Sequence, residues 1–451
     1  MPTEVKPVIV KLLRSLGSRK EVEQYLKQYS EIEAKKFAII KVGGGIIQDD
    51  LDSLVSSLTF LQRVGLFPIV IHGAGPQLNS ALSEAGISTE IVNGQRVTSP
   101  ETLEIARKVF QKQNLKLVEA LEKLGTRARP ITSGIFEADL VNQEELGLVG
   151  KVTDVHIDPI ASAIRSGHLP ILACLGETSG GQILNINADI AARQLALRIE
   201  PYKIVFLTPT GGLLDEQNRI IETIHLEEEF DHLMACDWVS GGMQLKLKEI
   251  KDLLYQLPLS SSVSITSPDH LAKELFTYKG SGTLIRRGER VIAHPTLKTV
   301  DEKLLAAGIA SCFGRALVSD YFQTKNFFKI YATDSYRGMA VLTEENGVPY
   351  MDKFAVTNQA QGEGLGGALW ARLLEENPKL FWRSRNKNPI NNWYFQQAHG
   401  SYKDDTWTIF WVGLDSFDEI KKCIEHASQM PATLESHVIA DSNSNTQKEA
   451  P

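Results

Sequence analysis

Two lysines in the first half of the sequence adjoin glycine-rich runs, an arrangement suited to binding phosphate. Lys41 opens the run KVGGG, which contains Gly43 and Gly44 and follows an apolar stretch, and Lys246 closes the run SGGMQLK. Glycines let the backbone turn so that N–H groups converge on an oxyanion. A helix that follows adds its positive end. For the first run alone, a tight strand–turn–helix corner explains the glycines equally well, so other motifs must decide.

Two more glycine motifs follow apolar runs. HGAGP contains Ala74 and Gly75 and leads into a helical stretch, which makes a second candidate site for backbone donors. TGGLLD contains Gly211 and Gly212, and it is similar to a nucleotide-side loop, although alone it indicates only a turn.

Polar side chains that suit an acidic substrate lie in two further motifs. NGQRVT supplies Arg96, whose guanidinium can clamp a carboxylate, although a lone arginine more often lies on the surface. LNINAD supplies Asn185 and Asp189, which face one point if the helix has already started there. Asn187 between them equally fits a simple N-cap.

Together these residues form a set suited to phosphoryl transfer. Two lysines and two glycine loops can hold a triphosphate and neutralise charge as a phosphoryl group moves, and a carboxylate between the lysines would orient both. The sequence contains neither GxxxxGK[ST] nor the HRD and DFG motifs, so it is neither a P-loop kinase nor a protein kinase.

The elements that must position this set alternate between short apolar runs and helical stretches. The predicted strands span 37–42, 68–72, 169–173, 203–207 and 263–265. The predicted helices span 51–63, 76–84, 100–124, 159–166, 188–197 and 244–254. This alternation predicts an α/β fold with a mostly parallel sheet covered by helices on both faces. Ligands then gather at the carboxyl ends of the strands, where the motifs lie.

The second half changes character. Three successive strands are predicted at 329–333, 338–343 and 350–356, followed by QGEGLGG at 361–367 and a helix at 368–376. The glycine run contains GxGxxG, but consecutive strands before it and too little chain after it exclude a dinucleotide fold. It fits QxxGxG, the pyrophosphate loop of GNAT-type acetyltransferases, better. Further strands are predicted at 380–385 and 405–412.

Composition limits the class of protein. The chain has 451 residues, a net charge of -7 and 43% hydrophobic residues, which fits two or three domains without a basic field for nucleic acid. Its four cysteines form no CxxC pair, and its ten histidines form no paired His/Cys set or HExxH. We therefore expect a reducing, cytoplasmic location, no protein-bound metal and no membrane span.

A helical stripe with Val22, Tyr25, Leu26 and Tyr29 fits either core or an oligomer contact.

The ordered motifs KVGGG, HGAGP, NGQRVT, LNINAD, TGGLLD, SGGMQLK and GSGTLI resemble the amino-acid kinase family, and most closely its N-acetylglutamate kinase branch, over residues 37–291. The resemblance implies that Lys41 and Lys246 stabilise the transition state and that Asp189 organises them. Ala74, Gly75, Arg96 and Asn185 would bind substrate, and Gly43, Gly44, Gly211 and Gly212 would bind ATP with Mg²⁺. Many members have glycine where this chain has Ala74.

The run DKF before the glycine loop, together with the residues after it, resembles the acetyltransferase domain of N-acetylglutamate synthases of the vertebrate-like type, over residues 305–425. This resemblance implies that Lys353, Arg385 and Asn388 bind glutamate and that Tyr394 is a general acid. Gln361, Gly362, Gly364 and Gly366 would bind acetyl-CoA. Taken alone, each charged residue fits an exposed charge, and Tyr394 fits a packed aromatic.

These resemblances imply a bifunctional enzyme of arginine biosynthesis. The predicted segments are an N-terminal helical segment 1–36, a kinase domain 37–291, a linker 292–304, a smaller α+β acetyltransferase domain 305–428 and a disordered tail 429–451. The main alternative is a synthase whose kinase-like domain only binds arginine, and a second is a non-catalytic amino-acid sensor. Relatives are typically oligomers, often tetramers, and Glu274 and Gly280 are candidates for an arginine site.

Overall fold

The computed structural model describes residues 29, 33–92, 94–276, 281–345, 347–357, 360 and 364–435. The chain divides into two compact units between Arg287 and Gly288. Several predictions lie outside the described residues, namely those for Val22, Tyr25, Leu26, Gly280, Gln361 and Gly362 and for the tail beyond 435.

The first unit contains fourteen strands among its described residues. Their bounds are β1 Ala38–Val42, β2 Ile69–His72, β3 Ile91–Val92, β4 Gln95–Arg96, β5 Ala128–Ile131, β6 Phe136–Leu140, β7 Gly150–Val155, β8 Leu169–Ala173, β9 Leu175–Glu177, β10 Ile183–Asn185, β11 Lys203–Leu207, β12 Thr223–His225, β13 Ser262–Thr266 and β14 Thr283–Arg286. Eight of them form one sheet in the order β12-β14-β13-β11-β1-β2-β8-β5. All its neighbours pair in parallel except β13 and β14.

The described part of the first unit contains ten α-helices, and the six longer predicted ones lie within a few residues of their predicted bounds. Their bounds are α1 Gly44–Asp49, α2 Leu51–Arg63, α3 Gly75–Glu84, α4 Pro100–Lys123, α5 Gln143–Leu146, α6 Asp158–Arg165, α7 Ala188–Ile199, α8 Leu226–Ala235, α9 Gly241–Leu254 and α10 Leu271–Phe276. Local signals set their ends: the Ser99 hydroxyl accepts from the Thr102 N–H ahead of Pro100, and Asn187 caps α7.

Helices cover the central sheet on both faces, as the sequence predicts. Successive residues of β1 point to opposite faces, so Ile39 packs in one buried apolar cluster and Ile40 in another. The parallel α/β prediction is therefore confirmed. Tyr29 belongs to the second cluster, where its ring meets Phe37, Tyr202 and Phe276 edge-on, so this residue of the N-terminal stripe is core.

A second sheet in this unit, with the order β10-β9-β6-β7, was not predicted. Its strands are short and carry exposed positions, as in β6, where only Phe136 and Ala138 are buried. Such strands lack the continuous apolar run that marks the parallel core. The hairpin β3–β4 is likewise only two residues long on each side.

The second unit is a seven-stranded sheet with five helices among its described residues. The strands are β15 Val291–His294, β16 Phe327–Thr333, β17 Gly338–Glu345, β18 Val348–Val356, β19 Leu380–Arg385, β20 Gly400–Lys403 and β21 Trp407–Val412. The helices are α11 Glu302–Phe313, α12 Tyr321–Thr324, α13 Leu365–Glu376, α14 Asn391–Gln397 and α15 Phe417–Gln429. The order β15-β16-β17-β18-β19-β21-β20 is antiparallel except between β18 and β19.

The structure differs from the sequence prediction at two boundaries. The predicted linker 292–304 contains β15, which pairs with β16 from Val291 to His294, so the second unit begins before it. Pro295 directly follows the end of that edge strand. The predicted disordered tail begins too early, because Leu434 forms a bridge with Leu317 and packs in the second unit's core. In the described part of the chain, no helix has the length and hydropathy needed to cross a membrane.

Candidate active sites

Lys41 and Asp189 form an ion pair at the carboxyl edge of the first unit's sheet. The Lys41 Nζ lies 2.9 Å from the Asp189 Oδ1. Lys41 is the fourth residue of the central strand β1, and Asp189 is the second residue of α7. The negative carboxylate at this helix N-terminus is favourable, and its exposure leaves its other oxygen accessible.

Lys246 completes this constellation from α9. Burial, and next the charge of Lys41, lower the pKa of Lys246, while Asp189 opposes the shift. Its Nζ lies 5.9 Å from the ring centroid of Phe206, the residue that pairs with Lys41 across β1 and β11. The structure therefore brings together the three residues that the motifs predicted: two cations and a carboxylate, with the carboxylate paired to Lys41.

The two glycine loops meet beside this edge. The Gln77 Nε2 donates to the Gly44 O at 2.7 Å, and a Cβ on Gly44 would come within 3.1 Å of the Ala74 Cα, so the two loops pack closely here. By contrast, a Cβ on Gly43 or Gly75 would meet nothing within 4 Å. That open space beside two helix N-termini is where an anion can approach the backbone N–H groups. Ala74 is the buried N-cap of α3.

A cavity of about 200 Å³ adjoins the lysine–aspartate group. Asp189 and Arg193 line it from α7, and Lys246 and Glu249 line it from α9. The Arg193 Nη1 donates to the Glu249 O at 3.4 Å, which ties the two helices together. Burial, and next the charge of Asp189, raise the pKa of Glu249. Sequence reasoning missed Arg193 and Glu249, although their i+4 and i+3 spacing from Asp189 and Lys246 was a usable signal.

Arg96 lies on the β3–β4 hairpin, where it has only neutral partners among the described residues. Its guanidinium donates to the Thr89 Oγ1 at 2.6 Å and to the Asn79 Oδ1. Burial lowers its pKa from the ordinary value. A guanidinium with neutral partners keeps its full charge for an incoming carboxylate.

Asn185 lies at the end of β10, and its Nδ2 donates to the Thr98 Oγ1 at 3.1 Å. Because α7 starts only at Ala188, Asn185 and Asp189 do not share a helix face, and Asn187 is the simple cap that the sequence left open. The Asn187 Nδ2 also donates to the Gly94 O, which ties the β3–β4 hairpin to the start of α7.

The remaining predicted positions of the first unit have local packing roles. Gly211 has a φ of +72°, and a Cβ on Gly212 would come within 2.7 Å of Ile220. Packing therefore explains Gly212 without a ligand. Glu274 is buried and accepts from the Ser281 N–H at 2.8 Å, so its carboxylate caps a neighbouring backbone group.

The second site is organised by a split in the second unit's sheet. Strands β18 and β19 run parallel but share a single register pair, Tyr350 with Phe381, and separate beyond it. Residues after that pair border a gap between the strands, and alternate side chains point to opposite faces. Such a gap would let two ligands meet from opposite faces of the sheet.

Tyr394 lies on one of these faces, in an aromatic cluster. Its ring contacts Phe354, Trp370, Trp382 and Phe410 at centroid distances of 5.4 to 6.5 Å. Burial raises the pKa of its hydroxyl well above the usual range. The side chain is thus a packed aromatic that also carries a protonated hydroxyl, so the two interpretations are compatible.

Lys353 lies on the opposite face from its neighbour Phe354, and it is only 4% exposed. Its Nζ lies 2.6 Å from the Asp352 Oδ2, and the Tyr321 hydroxyl donates to the same oxygen at 2.7 Å. Burial lowers the pKa of Lys353, against the charge of Asp352. Burial also opposes ionisation of Asp352, but Lys353 and the hydrogen bonds hold its pKa below the ordinary value.

Two arginines follow on β19. The guanidinium carbons of Arg383 and Arg385 lie 4.1 and 4.4 Å from the ring centroid of Trp407, which stacks both side chains on one face. Arg385 is exposed, and Asn388 is held near it by a bond from its Nδ2 to the Ser384 Oγ. Sequence reasoning missed Arg383, although the i, i+2 spacing of the two arginines on a strand was a signal.

The helix α13 begins directly after the glycine loop, at Leu365. Gly364 is its N-cap with a φ of +82°, a conformation that favours glycine, and a Cβ on Gly366 would touch Val356 only at an ordinary 3.5 Å. The free N–H groups of this helix start suit a phosphate. Among the described residues, no group of three or more His, Cys, Asp or Glu side chains is placed to hold a metal ion.

Two family models match the chain. Residues 36–259 match the amino acid kinase family, and residues 292–430 match NAT, the N-acetyltransferase of N-acetylglutamate synthase. Both matches fall within the corresponding structural units.

Relatives of known name agree with both models. The chain is 52% identical to an acetylglutamate kinase of Xanthomonas campestris pv. campestris, covering 93% of this chain and 100% of that protein. It is 32% identical to the mitochondrial N-acetylglutamate synthase of Homo sapiens, over 88% of this chain and 72% of that protein. The fold resembles the N-acetylglutamate synthase of Neisseria gonorrhoeae complexed with coenzyme A and N-acetylglutamate, with a TM-score of 0.64, 19% identity and coverage of 88% and 98%. This chain therefore belongs to the acetylglutamate kinase family, and it joins an amino acid kinase domain to an N-acetyltransferase domain of the N-acetylglutamate synthase type.

Proposed function

We propose that this chain is an enzyme that catalyses two reactions of arginine biosynthesis. The second unit transfers an acetyl group from acetyl-CoA to the amine of L-glutamate. The first unit transfers the γ-phosphoryl group of ATP to the resulting N-acetylglutamate. The observation that carries the kinase assignment is the ion pair of Lys41 with Asp189, with Lys246 beside it.

In the kinase reaction the attacking group is the side-chain carboxylate of N-acetylglutamate, which is already ionised at neutral pH. No general base is needed. Lys41 and Lys246 neutralise the charge that develops on the phosphoryl oxygens, and Asp189 holds them in position. Arg96 and Asn185 would bind the substrate, with the N–H groups at Ala74 and Gly75. The glycine loops with Gly43, Gly44, Gly211 and Gly212 would hold the nucleotide.

Mg²⁺ would enter this site with the ATP phosphates, which are its usual oxygen ligands in kinases. The described residues offer no acidic cluster for it, so we assign it no ligand from the protein.

In the acetyl transfer the glutamate ammonium first loses a proton to solvent, and the free amine then attacks the thioester carbon as the bond from that carbon to sulfur breaks. The nitrogen loses its second proton to solvent as the amide forms, and solvent reprotonates Tyr394 after each turnover. The departing thiolate takes a proton from Tyr394, whose burial keeps the hydroxyl protonated at neutral pH. Arg385, Asn388 and Lys353 would bind glutamate on the other side of the strand gap. The start of α13, with Gly364 and Gly366, would hold the diphosphate of acetyl-CoA.

An alternative is an N-acetylglutamate synthase whose first unit only binds arginine. The presence of both lysines around Asp189 favours the kinase. The test is ADP formation from ATP and N-acetylglutamate by a preparation with measurable acetyl transfer. ADP formation supports the bifunctional assignment, and its absence from such a preparation leaves the synthase alone.

Regulation, assembly and location are also proposals. Arginine would bind the first unit near the buried Glu274, and the chain would assemble as a homo-oligomer, with a tetramer as the starting hypothesis. A cytoplasmic location is supported by four cysteines that are all free thiols. Arginine titration of both activities and the mass of the native protein in solution test the first two.

A further inference from the structure

Lys353 has no free donor for a ligand in the described structure. A lysine ammonium has three N–H donors. Here they meet the Asp352 Oδ2 at 2.6 Å, the Thr433 Oγ1 at 2.5 Å and the Asp352 O at 3.3 Å. A substrate carboxylate can therefore bind the Lys353 ammonium directly only by displacing one of these three acceptors. Otherwise it must bind a group that is itself hydrogen-bonded to Lys353.

Thr433 stands on a segment that the protein holds firmly. We define the C-terminal strap as residues 430–435. The Arg383 Nη1 donates to the Met430 O at 2.7 Å, and its Nη2 donates to the Pro431 O at 2.8 Å. On the other side, the Val318 N–H donates to the Thr433 O at 3.2 Å. The strap is thus tied at both ends across the face that carries Lys353.

Thr433 is the more exposed partner of the bond with Lys353. Lys353 is only 4% exposed, whereas Thr433 is half-buried. Its oxygen accepts from the ammonium, and a hydroxyl keeps one hydrogen to donate. Among the described residues, the Thr433 hydroxyl donates to no acceptor.

The charges around this hydroxyl favour an anion. Asp352 pairs with both Lys353 and Lys325, and the Lys325 Nζ lies 3.9 Å from the Asp352 Oδ1. Arg383 adds a further positive charge that lowers the pKa of Lys353. Two lysines and one carboxylate leave a net positive charge at this place. Because the groups are poorly solvated, this charge attracts an anion more strongly than it would in water.

We propose that the Thr433 hydroxyl binds a carboxylate of the amino-acid substrate. Lys353 then acts through it, because an ammonium bound to the oxygen polarises the O–H and makes it a stronger donor. This inference rests on the proposed acetyl transfer and changes one part of it: Lys353 is a positioning residue, and Thr433 makes the contact.

The test compares Thr433→Val, which keeps the shape and removes the hydroxyl, with Thr433→Ser, which keeps the hydroxyl. Loss of a hydrogen bond to a charged group predicts a KM for glutamate that rises roughly tenfold or more in the valine variant. The KM for acetyl-CoA and kcat stay within about twofold because the hydroxyl touches neither the thioester nor the leaving group. Serine restores the KM, and Thr299→Val, at an exposed threonine of the same unit, leaves it unchanged.

An unchanged or lower KM for glutamate in Thr433→Val would overturn the inference. The hydroxyl would then make no useful contact with glutamate, or it would hinder glutamate binding. A double variant adds a second check: Lys353→Met with Thr433→Val should bind glutamate no worse than Thr433→Val alone, because Lys353 acts only through that hydroxyl. Calorimetric binding of glutamate to the same variants separates this inference from the reaction. Weaker binding in Thr433→Val supports the contact even if the wild-type chain transfers no acetyl group, which would count against the proposed reaction alone.

Discussion

The Nζ of Lys41 and the Oδ1 of Asp189 are 2.9 Å apart, although 148 positions separate the two residues in the chain. The central strand β1 brings one of them to the sheet edge, and the N-terminus of α7 brings the other. The pair is half-exposed, so its value for stability is small. Its placement beside Lys246 and an open cavity fits a role in charge neutralisation instead.

Lys246→Ala should remove phosphorylation and spare acetyl transfer, because only the kinase constellation contains this lysine. Losing one positive group aimed at the developing charge costs roughly 10²- to 10³-fold in kcat or more. The measurement is kcat for ADP formation and for CoA release in one preparation. Lys248→Ala, an exposed lysine on the same helix, is the matched control. Loss of both activities in a folded Lys246→Ala protein would contradict the assignment of the two activities to separate sites.

Tyr394→Phe should remove acetyl transfer and spare phosphorylation, because only the second site contains this tyrosine. Removing a general acid lowers kcat for acetyl transfer by roughly 10²- to 10⁴-fold, while ADP formation continues. Because burial raises the pKa of Tyr394, the wild-type rate should show no alkaline fall from tyrosine ionisation below the ordinary tyrosine range. The pH profile of CoA release checks this, with Tyr402→Phe on the edge strand β20 as the control. A fully active Tyr394→Phe variant would remove tyrosine from the mechanism.

Arg96→Gln should weaken binding of N-acetylglutamate and leave ATP binding unchanged. A charged donor pair to a carboxylate contributes enough that KM should rise roughly 10- to 100-fold. Steady-state kinetics with each substrate varied in turn give the comparison. Arg107→Gln, an exposed arginine on α4, is the control. An equal rise in the KM for ATP would place Arg96 elsewhere in the site.

His72 should make the first unit sensitive to acid. Burial lowers its pKa from 6.5 to about 4, against a weaker opposing effect of its bond with the Gly73 O. The unfolded chain therefore binds a proton that the folded chain does not as pH falls from 6.5 to about 4, and stability falls over that window. The full loss is roughly 3 kcal/mol, from a shift of about 2.5 units at 1.36 kcal/mol each.

His72→Gln should flatten this dependence. The Tm of the full chain at pH 7 and pH 4.5 should differ less in this variant than in the wild type or in His232→Gln, an exposed control. The same acid-induced fall in Tm for all three proteins would assign the sensitivity to other groups.

The sequence predicts the parallel core well because its strands are continuous apolar runs with unambiguous helices between them. β8 and β11 have the predicted bounds, as does α2. The antiparallel sheet with β6 and β7 was missed because half-exposed strands carry mixed polarity. The edge strand β15 was assigned to a linker because its partner β16 begins about thirty residues later.

The candidate sites were predictable where one motif supplies a charge and a glycine loop together. Residues that act through long-range contacts were not. Gln77 holds the Gly44 backbone, and Thr433 meets Lys353 across 80 positions. A single sequence contains no local pattern that indicates such contacts. Glutamine and threonine are also too common for their residue type to indicate a site. The close approach of Ile220 to Gly212 is a further contact that the sequence does not mark.

The central claim, two linked reactions on one chain, is tested by capturing the acyl phosphate with hydroxylamine. We expect the wild-type chain, given glutamate, acetyl-CoA and ATP together, to form N-acetylglutamyl hydroxamate, and we expect omission of any one of the three to abolish this product. Lys246→Ala and Tyr394→Phe should each fail alone and recover when mixed, because N-acetylglutamate diffuses between them. Release of CoA by the wild-type chain without any hydroxamate, under conditions that sustain acetyl transfer, would contradict the claim.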